Sequence, residues 1–291
     1  MKRLLLILPV MAGLASLSFG NPFVHAQDDQ QGKLSSVETG ILPDSHFYFL
    51  DNLGKTLSLL FTIGQDAKTQ KSLAYSDERL AEAMVMAEQN KTESLIIATR
   101  GYERFIAIAV KQADNARQVL VTDLDEEVAA AIAGYLEYLD SIEDQLVVPV
   151  PQDTIDSISA AKESSIKGLT SVLQGLALDK PELAAEIDIK AAEGRLFRAK
   201  VLAAKNDSDA IGKAVEEGET LFDFGTQIAE TAKQYNSGVA AVEEYIARSK
   251  PVYYDLLTSL NASIPPQASD RVKAEIVDAI KKVASRISAK R

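Results

Sequence analysis

The chain has 291 residues, no cysteine, two histidines and a formal net charge of -11 at pH 7. The lack of cysteine excludes disulfides and Cys-ligated metals, and the acidic charge argues against nucleic-acid binding, which needs a basic surface. His46 is the one histidine beyond residue 26. It does not by itself make a Ser-His-Asp triad or a histidine-ligated zinc site plausible. We therefore expect no cofactor and no enzyme activity.

Residues 1–26 have the pattern of a secretory signal peptide. Two basic residues precede an apolar run over 4–19, which is shorter than the roughly 20 residues that a spanning helix needs. We predict cleavage between Ala26 and Gln27. The expected location is the periplasm, the cell envelope or the medium, with membrane contact only through the signal peptide before cleavage.

The segments 27–40 and 41–64 differ in character. The first is polar and lacks periodicity, which is typical of a flexible leader. The second is predicted to hold a helix over about 45–62, because its apolar residues recur at helical spacing. These residues form one apolar stripe: Phe47, Leu50, Leu57, Leu60 and Phe61.

A short motif opens this helix. It reads Leu-Pro-Asp-Ser-x-Phe-Tyr from Leu42 to Tyr48, and an Arg-Leu-Ala-Glu-Ala segment follows from Arg79 to Ala83. In these features the chain resembles a bacterial family of exported helical proteins that carry a domain of unknown function. The resemblance covers roughly residues 40–120, and it implies a helical fold and an envelope location without an assigned activity.

A stretch that begins at Arg79 recurs at Arg195, 116 residues later. The match holds its register across about 27 positions and through the turns at Asn90 and Asn206, which indicates an internal duplication. Ser208 is the predicted N-cap of the helix that follows the second turn. No segment has a convincing strand pattern. The predicted fold is therefore all-α, with about nine helices.

The duplication also sets the predicted domain organisation. One N-terminal helix in segment 41–64 precedes two tandem four-helix repeats, over 65–178 and 179–291. Alanine is abundant at the inward positions of these helices, and small residues there let helices approach closely, as in helical bundles.

Arg79 and Arg195 occupy the same position in the two copies and are the first interaction candidates. Two interpretations remain open. The arginines clamp an anion, or they form ion pairs that order a helical hairpin, as Arg79 would with Glu82 at i+3. The second copy has Arg198 at the position that matches Glu82.

Asp123, Asp125 and Glu126 form a dense carboxylate run and are further candidates. A hard cation such as Ca²⁺ needs six to eight oxygen ligands from a folded loop. Acidic residues at a helix start are also expected from the helix dipole alone. Both interpretations stay open at this stage.

Tyr253 and Tyr254 follow Pro251, which lacks a backbone N–H and is predicted to kink or break its helix. The two tyrosines either fill the core at that kink or form an exposed aromatic patch for a partner.

These observations predict a non-enzymatic exported module of the cell envelope or the medium, with an interaction or structural role. The expected partner is another protein or an envelope polymer. The alternative, suggested by the acidic net charge, is an acidic periplasmic or extracellular protein that sequesters cations or cationic peptides. Net charge also keeps a protein soluble without any such role.

Overall fold

The computed structural model describes residues 37, 39–117 and 123–288. The predicted signal peptide, its cleavage site between Ala26 and Gln27 and most of the predicted leader lie outside these residues. The described part contains nine α-helices and no strand, which confirms the predicted fold class. The helices are α1 Tyr48–Phe61, α2 Gln65–Glu88, α3 Thr92–Arg117, α4 Asp123–Asp144, α5 Gln152–Asp179, α6 Pro181–Lys205, α7 Ser208–Tyr235, α8 Val239–Ser263 and α9 Asp270–Ser288.

Asparagines in the left-handed backbone conformation lie at three helix-to-helix turns. They are Asn90, Asn206 and Asn236, with φ angles of 54°, 63° and 51°. Asn tolerates this conformation better than most residues, because its short polar side chain bonds locally. The predicted turns at Asn90 and Asn206 are therefore confirmed.

The N-cap of α7 is Asp207, one residue before the predicted Ser208. The Asp207 carboxylate accepts a hydrogen bond from the Ala210 amide at 3.1 Å. The Ser208 hydroxyl instead accepts from the amide of Ser269 at 3.0 Å. It thereby joins the start of α7 to the segment just before α9.

The eight helices after α1 form four helical hairpins stacked in two layers. The first layer holds α2, α4, α6 and α8, and the second holds α3, α5, α7 and α9. Each helix packs against its hairpin partner and against the next helix of its own layer. The first-layer helices begin at residues 65, 123, 181 and 239, which are successive steps of 58 residues. The 116-residue offset in the sequence therefore spans two hairpins.

The stack continues across the boundary that separates the two predicted repeats. Helix α5 packs against both α6 and α7, and α4 packs against α6. Residues 37–291 belong to one compact unit. The two copies therefore pack on each other.

Buried apolar side chains fill the space between the layers, with a few hydroxyl pairs among them. Thr99 and Ser157 lie 2.6 Å apart, and so do the hydroxyls of Tyr102 and Ser165. Both pairs join α3 to α5, so that buried polar groups are satisfied between successive hairpins. None of the described helices has the length and apolarity that crossing a bilayer requires.

Pro251 is predicted to kink or break its helix, and the break is wrong because α8 continues through this residue. Pro251 itself is exposed, whereas Tyr253 is fully buried two residues later. The Tyr253 ring stacks on Phe222 with the ring centroids 4.0 Å apart. Leu257 and Leu260 are also fully buried, so apolar packing on this side of α8 offsets the hydrogen bond that proline cannot make.

Candidate functional site

A buried group of charged and polar side chains joins α1 to α2. We call it the Arg79 cluster, and its members are Tyr48, Asp51, Lys55, Glu78, Arg79 and Glu82. Arg79 and Glu82 expose no surface at all. Because an isolated buried charge is very costly, such a group persists only if its members pair with one another.

Arg79 stands at the centre of the cluster. Its Nη1 lies 2.8 Å from Glu82 Oε2 and also donates to the hydroxyl of Tyr48. Its Nη2 donates to the carboxylate of Asp51. The guanidinium carbon lies 4.9 Å from the centre of the Tyr48 ring, within the range of a cation–π contact. Tyr48 and Asp51 of α1 therefore supply hydrogen-bond acceptors to an arginine of α2.

The other members extend the network. Lys55 donates to Asp51 and, over 2.8 Å, to Glu78. The Tyr48 hydroxyl donates to Glu82 at 3.2 Å. As a result both charged residues of α1, Asp51 and Lys55, are turned towards α2.

Helix α3 approaches the cluster at Gly101. A Cβ atom at this position would lie 2.8 Å from Arg79 Cδ and 3.2 Å from its Cγ. The glycine therefore provides the space in which the aliphatic part of the arginine lies.

Burial dominates the acid–base properties of Glu82. Removal from water raises its pKa to about 7, although Arg79 lowers it. Burial also tends to raise the pKa of Asp51, but hydrogen bonds from Lys55 and Arg79 outweigh it, and the pKa lies below the usual value. The cluster thus combines an ionised carboxylate with one that titrates near neutral pH.

Asp51, Glu78 and Glu82 each place a carboxylate oxygen within 4.8 Å of the others, a spacing that a metal ion would need. In this structure Arg79 and Lys55 already pair with these three residues. Positive charge from the chain itself therefore lies where a cation would bind.

The second copy of the duplicated stretch has a counterpart of the Arg79 cluster. Arg195 pairs with Asp140 through two hydrogen bonds of 2.7 and 3.2 Å and lies 3.6 Å from Glu217. Arg198 pairs with Glu143 and Asp144, each at 2.8 Å. Arg195 thus joins α6 to α4, as Arg79 joins α2 to α1.

Both predicted arginine candidates are therefore buried ion-pair residues. The predicted contact between Arg79 and Glu82 is present. The pairs fasten α2 to α1 and α6 to α4, in addition to any effect within a hairpin. Neither side chain is exposed enough to clamp an anion from solution.

The candidate carboxylates of α4 are also paired. Asp125 is buried and lies 3.1 Å from Arg117. Asp123 and Glu126 bind Lys180, at 3.3 and 2.7 Å. The three side chains are not gathered into one loop with converging oxygens, and they instead tie α4 to neighbouring segments.

The two tyrosine candidates differ in how deeply they are buried. Tyr253 belongs to the core, and Tyr254 is half-buried. An exposed aromatic patch that includes Tyr253 is therefore not formed, because its ring is stacked on Phe222.

The predicted apolar stripe of α1 faces solvent. Eight large apolar side chains on and beside this helix are between 43% and 93% exposed. We call this surface the α1 face, and it comprises Phe47, Phe49, Leu50, Leu53, Leu57, Leu60, Phe61 and Ile63. Every exposed residue from 47 to 63 is uncharged.

Sequence reasoning identified this stripe but not its direction. The missed signal is the polar set Tyr48, Asp51 and Lys55, which recurs at i, i+3 and i+7 on the other side of the helix. These residues find their partners in α2, and the apolar side is left outside.

Comparison with known proteins agrees with the helical fold. A domain of unknown function, DUF5667, matches residues 40–177, which extends the predicted resemblance to a domain of unknown function through α1 and the first two hairpins. No curated protein matches the chain.

The fold is similar to that of a solved structure described as a circular tandem repeat protein with novel repeat topology and enhanced subunit contact surfaces. The TM-score is 0.58 at 14% identity, and the match covers 91% of this chain and 52% of the other. The chain thus spans about half the length of that protein. At this identity the likeness shows the stacked helical architecture alone.

The close contact at Gly101 generates a stability prediction. Gly101→Ala should lower the free energy of unfolding by about 1–3 kcal/mol, because a new methyl group must displace the buried stem of Arg79. Gly194→Ala in α6 is the matched control, since its Cβ would meet nothing within 4 Å. There the usual helix preference should add about 0.5–1 kcal/mol. Urea unfolding measures both, and a gain at both positions would contradict the packing described.

The raised pKa of Glu82 generates a second prediction. The unfolded chain releases this proton near pH 4.5 and the folded chain near pH 7, so the free energy of unfolding should fall as the pH rises between these values. Glu82→Gln removes this dependence. Relative to the variant, the wild type should therefore lose about 1–3 kcal/mol from pH 4.5 to 7.5.

Urea unfolding at several pH values measures this difference. Glu88→Gln, at the exposed end of α2, controls for the loss of one carboxylate. Parallel profiles for the wild type and Glu82→Gln would show that Glu82 does not titrate in this range.

Proposed function

We propose that this chain is a non-enzymatic, exported helical module of the cell envelope or the medium, which acts by binding another molecule through the α1 face. The observation that carries the proposal is the α1 face itself. It combines eight exposed apolar side chains with a complete lack of charge, and it is fixed on a stack of helices by buried ion pairs. The predicted signal peptide supports export.

The size of the α1 face supports a binding role. Three phenylalanines are each more than 60% exposed, and at about 150–250 Å² for a whole aromatic side chain they alone present roughly 300–500 Å². Five leucine and isoleucine side chains add to this. The largest apolar patch on a typical monomer is about 300–600 Å², and larger patches mark sites of interaction.

The attachment of α1 also suits a binding surface. An isolated helix of 14 residues is marginal in water. Here the Arg79 cluster holds it against α2, so its apolar face is ordered before a partner arrives. Little ordering entropy then opposes binding.

The sequestration of cations has weaker support. The three neighbouring carboxylates of the Arg79 cluster are paired with Arg79 and Lys55, and Asp123 and Glu126 are paired with Lys180. A cation would have to displace these positive charges.

Site-specific photo-crosslinking in the cells that make the protein tests the proposal. A photo-crosslinking amino acid placed at Leu53, in the α1 face, should yield covalent adducts that mass spectrometry identifies. Val201 in α6 is the control, because it is exposed to a similar degree but lies outside the α1 face. Adducts at Leu53 and none at Val201 are expected. The absence of adducts at Leu53 would contradict the proposed function.

A further inference from the structure

We infer that the α1 face binds the α1 face of a second copy of this chain, in an antiparallel pair of helices related by a two-fold axis. The inference rests on the proposed function and names its partner. The axis passes between Leu53 and Gly54, close to the middle of the helix.

Six exposed positions at the centre of the α1 face are placed symmetrically about this point, whereas Phe49, Phe61 and Ile63 lie outside the symmetric set. Residues at equal distances before and after it are Leu53 and Gly54, Leu50 and Leu57, and Phe47 and Leu60. A two-fold axis places residue i of one copy against residue j of the other, and j against i. An antiparallel pair therefore brings Phe47 against Leu60, Leu50 against Leu57 and Leu53 against Gly54, each of them twice.

These residues also lie on one side of the helix. Steps of three and four residues return to the same face of an α-helix, and all the members of the pattern are exposed. Since α1 rises about 1.5 Å per residue, the contact would extend along roughly 20 Å.

Gly54 is the most specific element of this arrangement. A glycine in the middle of a helix destabilises that helix relative to alanine. No contact among the described residues explains it, because a Cβ at Gly54 would meet none of their atoms within 4 Å. Against a second copy, the glycine forms the gap into which Leu53 of the other helix fits.

Charge and area are compatible with such a dimer. The face itself carries no charge, so the net charge of -11 on each copy does not place like charges in the contact. The exposed apolar area approaches the value of about 800 Å² per partner that stable interfaces bury. Added salt should not weaken the pair, because it screens the repulsion between the two acidic chains.

A lipid surface would use the same apolar side chains but would not need the symmetry or the glycine. The two occupants therefore predict opposite effects of one substitution. Gly54→Leu adds apolar surface, which favours lipid binding, but it fills the gap that Leu53 of a second copy requires.

Sedimentation velocity over a range of concentrations tests the inference. The chain is examined whole and from Gln27 onward, since residues 37–291 form one compact unit that retains the Arg79 cluster. The wild type should dimerise with a dissociation constant in the micromolar range or below. Gly54→Leu should raise this constant at least about tenfold, and the exchange Leu53→Gly with Gly54→Leu should recover most of the loss.

Gly194→Leu in α6 is the matched control and should leave association unchanged, because its side chain also enters open space. Leu57→Glu should abolish the dimer by placing two carboxylates in the apolar contact. Circular dichroism verifies that each variant keeps its helix content.

A wild type that stays monomeric up to about 100 µM, or a Gly54→Leu variant that associates as tightly as the wild type, would overturn the inference. So would a monomer that binds phosphatidylcholine vesicles more tightly after Gly54→Leu. Association of the chain from Gln27 but not of the whole chain would show that the chain covers its own α1 face, and would also overturn the inference.

The crosslinking experiment separates this inference from the proposed function. A monomer that still yields adducts with another molecule at Leu53 would leave the proposed function standing, whereas the absence of adducts would contradict that function itself.

Discussion

The burial of Arg79 is the constraint on which the described surface depends. A guanidinium without exposed surface is tolerated only when acceptors surround it. Glu82 supplies one acceptor from the same helix, and α1 supplies two more through Tyr48 and Asp51. The chain therefore orders α1 by its polar side. The apolar side of α1 is exposed as a consequence, because it lies opposite the polar side that packs against α2.

The repeat architecture explains why α1 is left with an uncovered face. Arg195 binds Asp140 of α4, as Arg79 binds Asp51 of α1, so α1 takes the place of a first-layer helix before the first hairpin. Helix α4 packs against its own hairpin partner, α5. Among the described helices α1 has no such partner, and its main contact is with α2. A second α1 would provide the missing helix.

Much of the fold was predictable from the sequence, but only part of the candidate site was. Apolar periodicity and the asparagine turns define the helices locally, and the 116-residue offset indicates an internal duplication. The 58-residue period of the hairpins is hardly visible in the sequence. For example, the residue 58 positions after Arg79 is Glu137 and not a second arginine. Likewise, a stripe of apolar residues does not indicate which way it faces. That direction depends on Arg79, which follows Tyr48 by 31 residues and meets it only in the folded chain.

Hydrogen–deuterium exchange of the α1 amides, in the wild type and in Asp51→Asn, tests the central role of the Arg79 cluster most directly. The account predicts that residues 48–61 are protected in the wild type and lose protection in Asp51→Asn, while α2 and α3 keep theirs. Asp66→Asn, at the exposed start of α2, serves as the control and should change nothing in α1. Unprotected α1 amides in the wild type, or protection unaffected by Asp51→Asn, would show that the cluster does not hold this helix in place.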